Sequence, residues 1–258
     1  MLRKDTIRPI AETRRTVDPS ELARFDTLAE EWWDADGKFK TVHDFNNARV
    51  SWIRDFLVTH LTDRGPGQPP LSGKAILDVG CGAGIVTEPV AALGADVLAI
   101  DASARNVAIA QRHAHNAGLD ISYQCATPEE LKAPDEGFDA VLSLEVVEHV
   151  LDLPAFLKAC AVQVRPGGLL IVGTLNRTAR SWFMAILGAE YVLRWLPRGT
   201  HDWRKFVKPN ELADHLAPHG FSECARQGVV YNPLRLAWQL GRNTDVNYLM
   251  AFRKADNV

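Results

Sequence analysis

The sequence predicts an α/β protein built on a doubly wound, mostly parallel sheet. Two observations indicate this class: short apolar runs alternate with helical stretches along the 258 residues, and the first run ends in a glycine-rich turn. Runs that are apolar throughout are typical of strands buried on both faces, and the helical stretches between them supply the crossovers that parallel pairing needs. The candidate strands are residues 75–79, 97–100, 121–124, 140–144 and 169–172, followed by 229–231 and 248–252. The last two follow a helix at 210–216 and could close a seven-stranded, Rossmann-like sheet with an antiparallel edge.

Helical segments are expected before the sheet. Residues 1–17 contain five basic side chains and few apolar ones, so we expect a disordered basic tail. After Ser20, apolar residues recur at three- and four-residue steps, and a second helix is predicted over about 46–61. The glycines and prolines of residues 65–70 then indicate a linker. The predicted organisation is a tail (1–17), a helical cap (18–64), a linker (65–72) and a main domain (73–258).

Composition excludes several functional classes. The formal net charge is −3, from 29 basic and 32 acidic side chains, so the protein has no global attraction for nucleic acid. Four scattered cysteines form no C-x-x-C pair, which disfavours a disulfide scaffold or a zinc knuckle and fits a reducing compartment. The sequence has neither a signal-peptide pattern nor an apolar stretch of ~18 residues, so we expect a cytoplasmic protein that does not span a membrane.

A glycine-rich turn follows the first predicted strand. The segment Asp-Val-Gly-Cys-Gly-Ala-Gly at 78–84 lets the backbone approach a ligand, with Gly80 and Gly82 expected closest to it. A dinucleotide fingerprint needs Gly-x-Gly-x-x-Gly, but Ile85 stands where the third glycine would be. Asp78 would repel a pyrophosphate and attract a cation. The turn therefore favours S-adenosylmethionine (SAM), which carries an ammonium and a sulfonium, over a nicotinamide dinucleotide.

Further cofactor contacts are expected where the next three strands end. Asp101 ends the second strand, 21 residues after Gly80, where a carboxylate can accept hydrogen bonds from both ribose hydroxyls. Past the third strand, Ala126 and Thr127 are expected to approach the adenine. Leu144 ends the fourth strand and is expected to contact the cofactor, although an ordinary core leucine fits that position equally well.

Two acids and a histidine follow the fourth strand, at the sheet edge where open α/β folds bind ligands. If Glu145 begins a helical turn, Glu148 and His149 lie at i+3 and i+4 on the same face. Such a set can hold a divalent ion or position a base, and either would help to ionise a phenol of pKa near ~10. The alternative is a helix start whose acids complement the helix dipole while His149 faces solvent.

Together these motifs resemble the class I SAM-dependent methyltransferases, and specifically the ubiquinone-biosynthesis O-methyltransferases. The resemblance covers roughly residues 20–254 and leaves out the basic tail. Its further motifs are Phe25-Asp26, Trp32-Trp33-Asp34, Asn46-Asn47-Ala48-Arg49, Thr174-Leu175-Asn176-Arg177, Gly188-Ala189-Glu190-Tyr191, Gly199-Thr200-His201-Asp202-Trp203, Lys205-Phe206 and Pro209. The departures are Leu144, where relatives often carry methionine or serine, and the variable segment before Arg49.

The resemblance implies an enzyme that methylates ring hydroxyls of 2-polyprenyl-6-hydroxyphenol and 3-demethylubiquinol. The cofactor contacts that it implies are Arg49, Gly80, Asp101 and Leu144. The Arg49 guanidinium would pair with the methionine carboxylate of SAM. In mitochondrial relatives the Glu-x-x-Glu-His cluster is similar to a magnesium site, which implies Mg²⁺ on Glu145, Glu148 and His149. Other enzymes of ubiquinone biosynthesis are implied as partners.

An apolar insert is expected within residues 176–208. Residues 181–196 carry only two charges, Glu190 and Arg194, and basic residues flank them. A basic-edged aromatic helix of this length is typical of segments that lie on an anionic lipid surface. We therefore expect peripheral association with the inner membrane through 176–205. The alternative is a lid over the active site, and both roles are compatible with a polyprenyl tail that enters from the bilayer.

The predicted reaction is an in-line displacement in which a phenolate oxygen attacks the sulfonium methyl group. His149 is the first candidate for the base, with Glu148 beside it, and His201 is the second. Three alternatives stay open: an NAD-dependent oxidoreductase, a non-catalytic lipid-binding module, and a methyltransferase of another small phenolic or isoprenoid substrate.

Overall fold

The computed structural model describes most of the chain. The described residues are 16–28, 33, 40–62, 67–132, 134–184, 202–232, 234–235 and 237–256. Two segments lie outside the described residues: the basic tail up to residue 15, and residues 185–201, the greater part of the apolar insert. His201, the second candidate base, belongs to the latter.

One eight-stranded sheet forms the centre of the molecule. Its strands are β1 (Ala75–Val79), β2 (Asp96–Asp101), β3 (Ser122–Cys125), β4 (Phe138–Leu144), β5 (Val164–Leu175), β6 (Phe221–Asn232), β7 (Ala237–Gly241) and β8 (Asn247–Lys254). They lie in the order β3-β2-β1-β4-β5-β8-β6-β7. The first five pair in parallel, and β8, β6 and β7 pair antiparallel with their neighbours. The predicted mostly parallel sheet is therefore confirmed.

The sheet has one strand more than the expected seven. The additional strand, β7, is the antiparallel edge strand, whereas β8 lies inside the sheet between β5 and β6. The sequence Ala-Trp-Gln-Leu-Gly of β7 contains no continuous apolar run, because this edge strand is largely accessible to solvent. Strand β5 is longer than predicted because it begins before Pro166, a residue that usually marks a turn.

Helices cover both faces of the sheet. They are α1 (Pro19–Leu28), α2 (Lys40–Leu61), α3 (Thr87–Ala91), α4 (Ala104–Asn116), α5 (Leu153–Gln163) and α6 (Pro209–Leu216), with shorter helical turns at Ala179–Ser181, Trp203–Lys205 and Ala217–His219. Helix α4 begins at a Ser103 cap and α5 at an Asp152 cap, and each cap side chain accepts a backbone N–H of the first turn. In β1, Leu77 packs with α5 and α6 on one face, and Ile76 packs with α2 on the other. This alternation produces the doubly wound arrangement.

The N-terminal segments join the same core. Ile53 and Leu57 of α2 are fully buried in one cluster with sheet residues, and Leu71, within the predicted linker, is fully buried beside them. Ahead of α1, Val17 bridges Val150, and the carbonyl of Thr16 accepts the backbone N–H of Leu151 at 2.9 Å. The described part of the helical cap therefore packs into the same core as the sheet, and residues 16 and 17 of the predicted tail take part in these contacts.

Candidate active site

A cavity of about 530 Å³ opens at the carboxyl ends of β1, β2 and β4. Its volume is in the range of small-molecule sites, and its position is the one at which open α/β sheets bind ligands. The turns after β1, β2, β3 and β4 form one side of it. The segment 16–22, helix α2 and the β6–β7 hairpin complete the wall.

The glycine turn lies directly against this cavity. Gly80 has φ +75°, and a Cβ added there would lie 2.3 Å from Val146 Cγ2, so only glycine fits between the two loops. Gly82 has φ +54°, and a Cβ added there would meet no atom within 4 Å. The Gly82 backbone therefore faces open space that a ligand can approach.

Asp101 connects the loops after β1 and β2. Its Oδ2 accepts the backbone N–H of Gly82 at 2.9 Å, and its Oδ1 accepts that of Ser103 at 2.9 Å. The carboxylate lines the cavity at the predicted ribose position. Because two backbone donors hold it, this carboxylate is preorganised for further hydrogen bonds.

Asp78 also lines the cavity, but it is buried. Its Oδ2 accepts the hydroxyl of Thr87 at 2.6 Å. Burial raises the pKa of Asp78 to about 6, the hydrogen bond from Thr87 lowers it, and the charge of Asp101 adds to the rise. The group is therefore predominantly ionised at neutral pH and becomes neutral in mild acid.

Ala126 and Thr127 lie on the cavity wall after β3, as predicted for adenine contacts. The backbone N–H of Ala126 donates to Asp101 O at 3.0 Å, which joins this turn to the end of β2. The Thr127 hydroxyl is buried and has no hydrogen-bond partner among the described residues. A buried hydroxyl of this kind is costly unless a ligand or water satisfies it.

Arg49 enters the cavity from α2 and is buried. Its Nη1 donates to Glu145 Oε1 at 2.6 Å, its Nη2 donates to Asn46 Oδ1, and its guanidinium lies 4.2 Å from the centre of the Phe45 ring. Burial lowers the pKa of Arg49, and the charge of Glu145 opposes that shift. Arg49 Nε is buried without a partner among the described residues. Leu144 is buried beside this pair and lines the same cavity.

The predicted helical turn at Glu145 is wrong. Glu145 has φ +56°, the one positive value at a non-glycine residue in the described chain, and the next residues form a turn. The three side chains therefore point to different partners. Glu145 pairs with Arg49, Glu148 Oε2 accepts the Thr174 hydroxyl at 2.8 Å, and His149 Nδ1 lies 3.1 Å from Glu21 Oε2.

This arrangement does not fit the magnesium site implied by the resemblance. Within the described ranges, no three His, Cys, Asp or Glu side chains are grouped as metal ligands. Glu148 is buried and does not line the cavity, and burial together with the charge of Glu145 raises its pKa well above the usual range. Glu148 therefore does not present its carboxyl to an ion in the cavity.

His149 does line the cavity, and a chain of charges leads away from it. Its partner Glu21 lies 3.9 Å from Lys205 Nζ, which in turn lies 3.1 Å from Asp18 Oδ2. Glu21 and Asp18 come from the N-terminal segment, and Lys205 lies near the end of the predicted insert, 176–208. A carboxylate at Nδ1 orients an imidazole ring.

Aromatic side chains form another part of the cavity wall. Phe45 of α2 and Tyr231 of β6 both make edge contacts with Trp238 of β7, with ring centres 4.9 and 5.3 Å from the Trp238 ring. All three residues line the cavity. On the outer side of the glycine turn, Trp33 Nε1 donates to Ala83 O at 2.9 Å.

The chain is similar to known methyltransferases along most of its length. A model of the methyltransferase domain matches residues 77–172. A ubiquinone biosynthesis O-methyltransferase of Methylocella silvestris is 49% identical over 244 residues, covering 93% of this chain and 95% of the relative. One of Azorhizobium caulinodans is 48% identical, again over 93% and 95% of the two chains. The chain belongs to the ubiquinone biosynthesis O-methyltransferase family.

Solved structures confirm the fold of this family member. The magnesium protoporphyrin IX methyltransferase of Synechocystis was solved with bound S-adenosylhomocysteine (SAH). It aligns with a TM-score of 0.66 at 18% identity, over 91% of this chain and 99% of that one. The N-methyltransferase NodS of Bradyrhizobium japonicum aligns with a TM-score of 0.59 at 19% identity, over 91% and 97%. The predictions of a methyltransferase fold and of an O-methyltransferase enzyme are confirmed.

Several residues that line the cavity could not be identified from the sequence. Glu21 was not predicted because 128 residues separate it from His149 and no spacing rule connects them. Tyr231 and Trp238 were missed as wall residues because the edge hairpin has no strong apolar pattern. The one signal for Trp238 is its residue type, because tryptophan is enriched at binding surfaces.

Proposed function

We propose that this O-methyltransferase transfers the methyl group of SAM to ring hydroxyls of a polyprenylated phenol or quinol, with 2-polyprenyl-6-hydroxyphenol and 3-demethylubiquinol as its substrates. The names of the close relatives support the pathway. The observation that carries the chemistry is one cavity with a polar half at the strand ends and an aromatic half at the β6–β7 hairpin. Such a cavity can hold a charged donor and an aromatic acceptor side by side.

The polar half fits SAM residue by residue. Gly82 leaves room for the cofactor, and Asp101 would accept the ribose hydroxyls. The buried Thr127 hydroxyl would find a partner in the adenine, and Arg49 Nε, which has no partner among the described residues, would donate to the methionine carboxylate. Asp78 supplies negative charge for the cationic end. Bound SAM supplies an electrophilic methyl group on its sulfonium.

The aromatic half fits a phenolic ring. Phe45, Tyr231 and Trp238 would hold the ring by stacking and edge contacts and would exclude water from it. Ionising a phenol of pKa near ~10 at neutral pH costs roughly 4 kcal/mol, at about 1.36 kcal/mol per unit. His149 would accept the phenol proton while Glu21 holds the imidazole ring of His149 in place. The Glu148 carboxyl accepts the Thr174 hydroxyl and does not line the cavity, so Glu148 would act on the reaction only through its neighbours.

Product formation tests the proposed function. The protein would be incubated with SAM and a prenylated catechol, and methylation would be followed by mass spectrometry, with a short-chain catechol as the comparison substrate. We expect O-methylated product and a preference for the prenylated ring. Methylation of the short-chain compound alone would favour another phenolic substrate, and no product would favour a non-catalytic lipid-binding module. Tight binding of NADH but not SAM in calorimetry would favour an oxidoreductase.

The same assay with and without a chelator decides the role of magnesium. The donor set found here gives no support for a Mg²⁺ site on Glu145, Glu148 and His149, so we expect the rate to survive chelation. Loss of activity with the chelator, restored by added Mg²⁺, would contradict this.

We propose that the insert associates with a lipid surface through 176–205, at the inner membrane. Trp182 and Phe183, at the start of the insert, expose 45% and 59% of their surface, whereas the adjoining Met184 also lines the cavity. No helix in the described ranges is long and apolar enough to span a bilayer. An exposed aromatic pair that borders a cavity could guide a prenyl tail from lipid to the active site.

Liposome sedimentation tests this surface. The variant with Trp182→Asp and Phe183→Asp should sediment less with anionic vesicles than the wild type. Val162→Asp is the matched control, because Val162 is 57% exposed on α5, outside the insert. Unchanged sedimentation of the double variant with reduced turnover would favour the lid. The same co-sedimentation with other ubiquinone-biosynthesis enzymes added tests the implied partners.

A further inference from the structure

The Arg49–Glu145 ion pair places opposite charges side by side on the cavity wall. Arg49 Nη1 and Glu145 Oε1 are 2.6 Å apart, and both residues line the cavity. The Arg49 side chain is 6% exposed and that of Glu145 is 29% exposed, so the pair faces the cavity mainly through its anion. The amino-acid end of SAM carries the complementary pair, a carboxylate and an ammonium on one carbon atom.

We propose that Glu145 is a specificity residue that binds the α-ammonium of the methionine end of SAM, while Arg49 binds the carboxylate. This rests on the proposed function, because it requires SAM in the cavity, and it adds the residue that recognises the amine. Glu145 is thereby given a role in cofactor binding in place of metal binding.

The charges stay balanced throughout binding. Before the cofactor arrives, Glu145 neutralises the buried guanidinium, which would otherwise be costly to leave unpaired. When the zwitterion binds, each side chain exchanges its partner for the opposite charge of the ligand. Arg49 Nε, buried without a partner among the described residues, gives the guanidinium a free donor for a bidentate contact with the carboxylate.

The backbone of Glu145 supports a binding role. Its φ of +56° is unfavourable for a residue with a Cβ, and such conformations cluster at functional sites. The backbone N–H of Glu145 donates to Gly173 O at 2.8 Å, so the turn is anchored to the end of β5. The strained residue is therefore held in place, with its carboxylate directed to the cavity and Arg49.

The other acids of the cavity are engaged elsewhere. Asp78 accepts from Thr87, and Asp101 accepts from two backbone groups of the ribose side. Glu21 lies against His149, and Asp18 against Lys205. Among the acids that line the described cavity, Glu145 is the one paired with Arg49.

Calorimetry with two ligands tests the proposal in buffer that contains a chelator, so that no metal contributes. One ligand is S-adenosylhomocysteine (SAH), and the other is its deaminated analogue, which keeps the carboxylate and lacks the amine. We expect the wild type to bind SAH at least tenfold more tightly than the analogue. Glu145→Gln should lose most of that preference by weakening SAH about tenfold, with the analogue bound as before or more tightly.

A second variant guards against misfolding. Glu145→Gly removes the carboxylate and accepts the positive φ, so we expect it to fold and to lose the same preference. Glu223→Gln is the matched control, because Glu223 also pairs with an arginine, Arg226 at 2.7 Å, but does not line the cavity, so this variant should keep the preference. Retained or increased SAH preference in both Glu145 variants would overturn the proposal. If the wild type fails to bind SAH at all, the proposed function itself fails.

Discussion

The contact between Gly80 and Val146 can be tested with a matched pair of glycines. Gly80 has φ +75° and Gly118 has φ +69°, so alanine is equally strained by the backbone at both positions. A Cβ at position 80 would lie 2.3 Å from Val146 Cγ2, whereas one at position 118 would meet no atom within 4 Å. Gly80→Ala and Gly118→Ala therefore share the backbone strain but differ in the collision with the loop that carries Glu145. Gly80 also lines the cavity, whereas Gly118 does not.

The expected losses of stability follow from two contributions, the strain of a positive φ and the collision with Val146. The left-handed conformation costs an alanine about 1–2 kcal/mol, and this applies to both variants. Overpacking costs about 1–3 kcal/mol more and applies only to Gly80→Ala. We therefore expect the free energy of unfolding to fall by about 1–2 kcal/mol for Gly118→Ala and by about 2–5 kcal/mol for Gly80→Ala.

Urea denaturation measures the stability difference, and calorimetry with SAH measures its effect on the site. Because Val146 follows Glu145 directly, displacing it should weaken SAH binding at least tenfold in Gly80→Ala and leave it unchanged in Gly118→Ala. Equal unfolding midpoints together with equal SAH affinities would refute the inferred contact between the two loops.

Three further predictions concern single side chains. Asp101→Ala should weaken SAH binding while turnover at saturating SAM changes little, and unchanged affinity in calorimetry would rule out the ribose contact. His149→Ala should lower kcat by about 10²–10⁴ while SAH affinity stays nearly intact, and a variant that binds the cofactor poorly but turns over normally would overturn the base assignment. SAM affinity should decrease as the pH falls through about 6, because protonation of Asp78 removes the charge that attracts the sulfonium. The affinity for SAH, whose sulfur is uncharged, should depend less on pH. In Asp78→Asn the dependence of SAM affinity on pH should become weaker. An unchanged pH dependence in that variant would show that Asp78 is not the group responsible.

The parts of the site that could be predicted are those governed by one strand and its following turn. Asp78, the glycine turn and Asp101 could be placed because a parallel strand of known direction delivers its carboxyl end to the ligand edge. Their positions in the cavity agree with that reasoning. Their roles toward SAM remain predictions until binding is measured.

The parts that could not be predicted depend on a strained residue or on distant pairing. The positive φ of Glu145 breaks the helical spacing that would have joined it to Glu148 and His149, and no sequence pattern announces such a conformation at a glutamate. The contact between Glu21 and His149 depends on how the N-terminal segment crosses the sheet edge. The wall residue Trp238 depends on an edge hairpin whose pattern is weak.

Strand β7 contributes Trp238 to the cavity and, among the strands that the structure describes, pairs only with β6, at the outer border of the sheet. Replacing its residues disturbs the ladder with β6 and the contact of Trp238 with Phe45 of α2, but it leaves the pairing of the inner strands unchanged. Substitutions in this hairpin can therefore change the aromatic wall proposed for the acceptor while the inner ladders stay intact, and relatives that prefer different rings should diverge first in this hairpin.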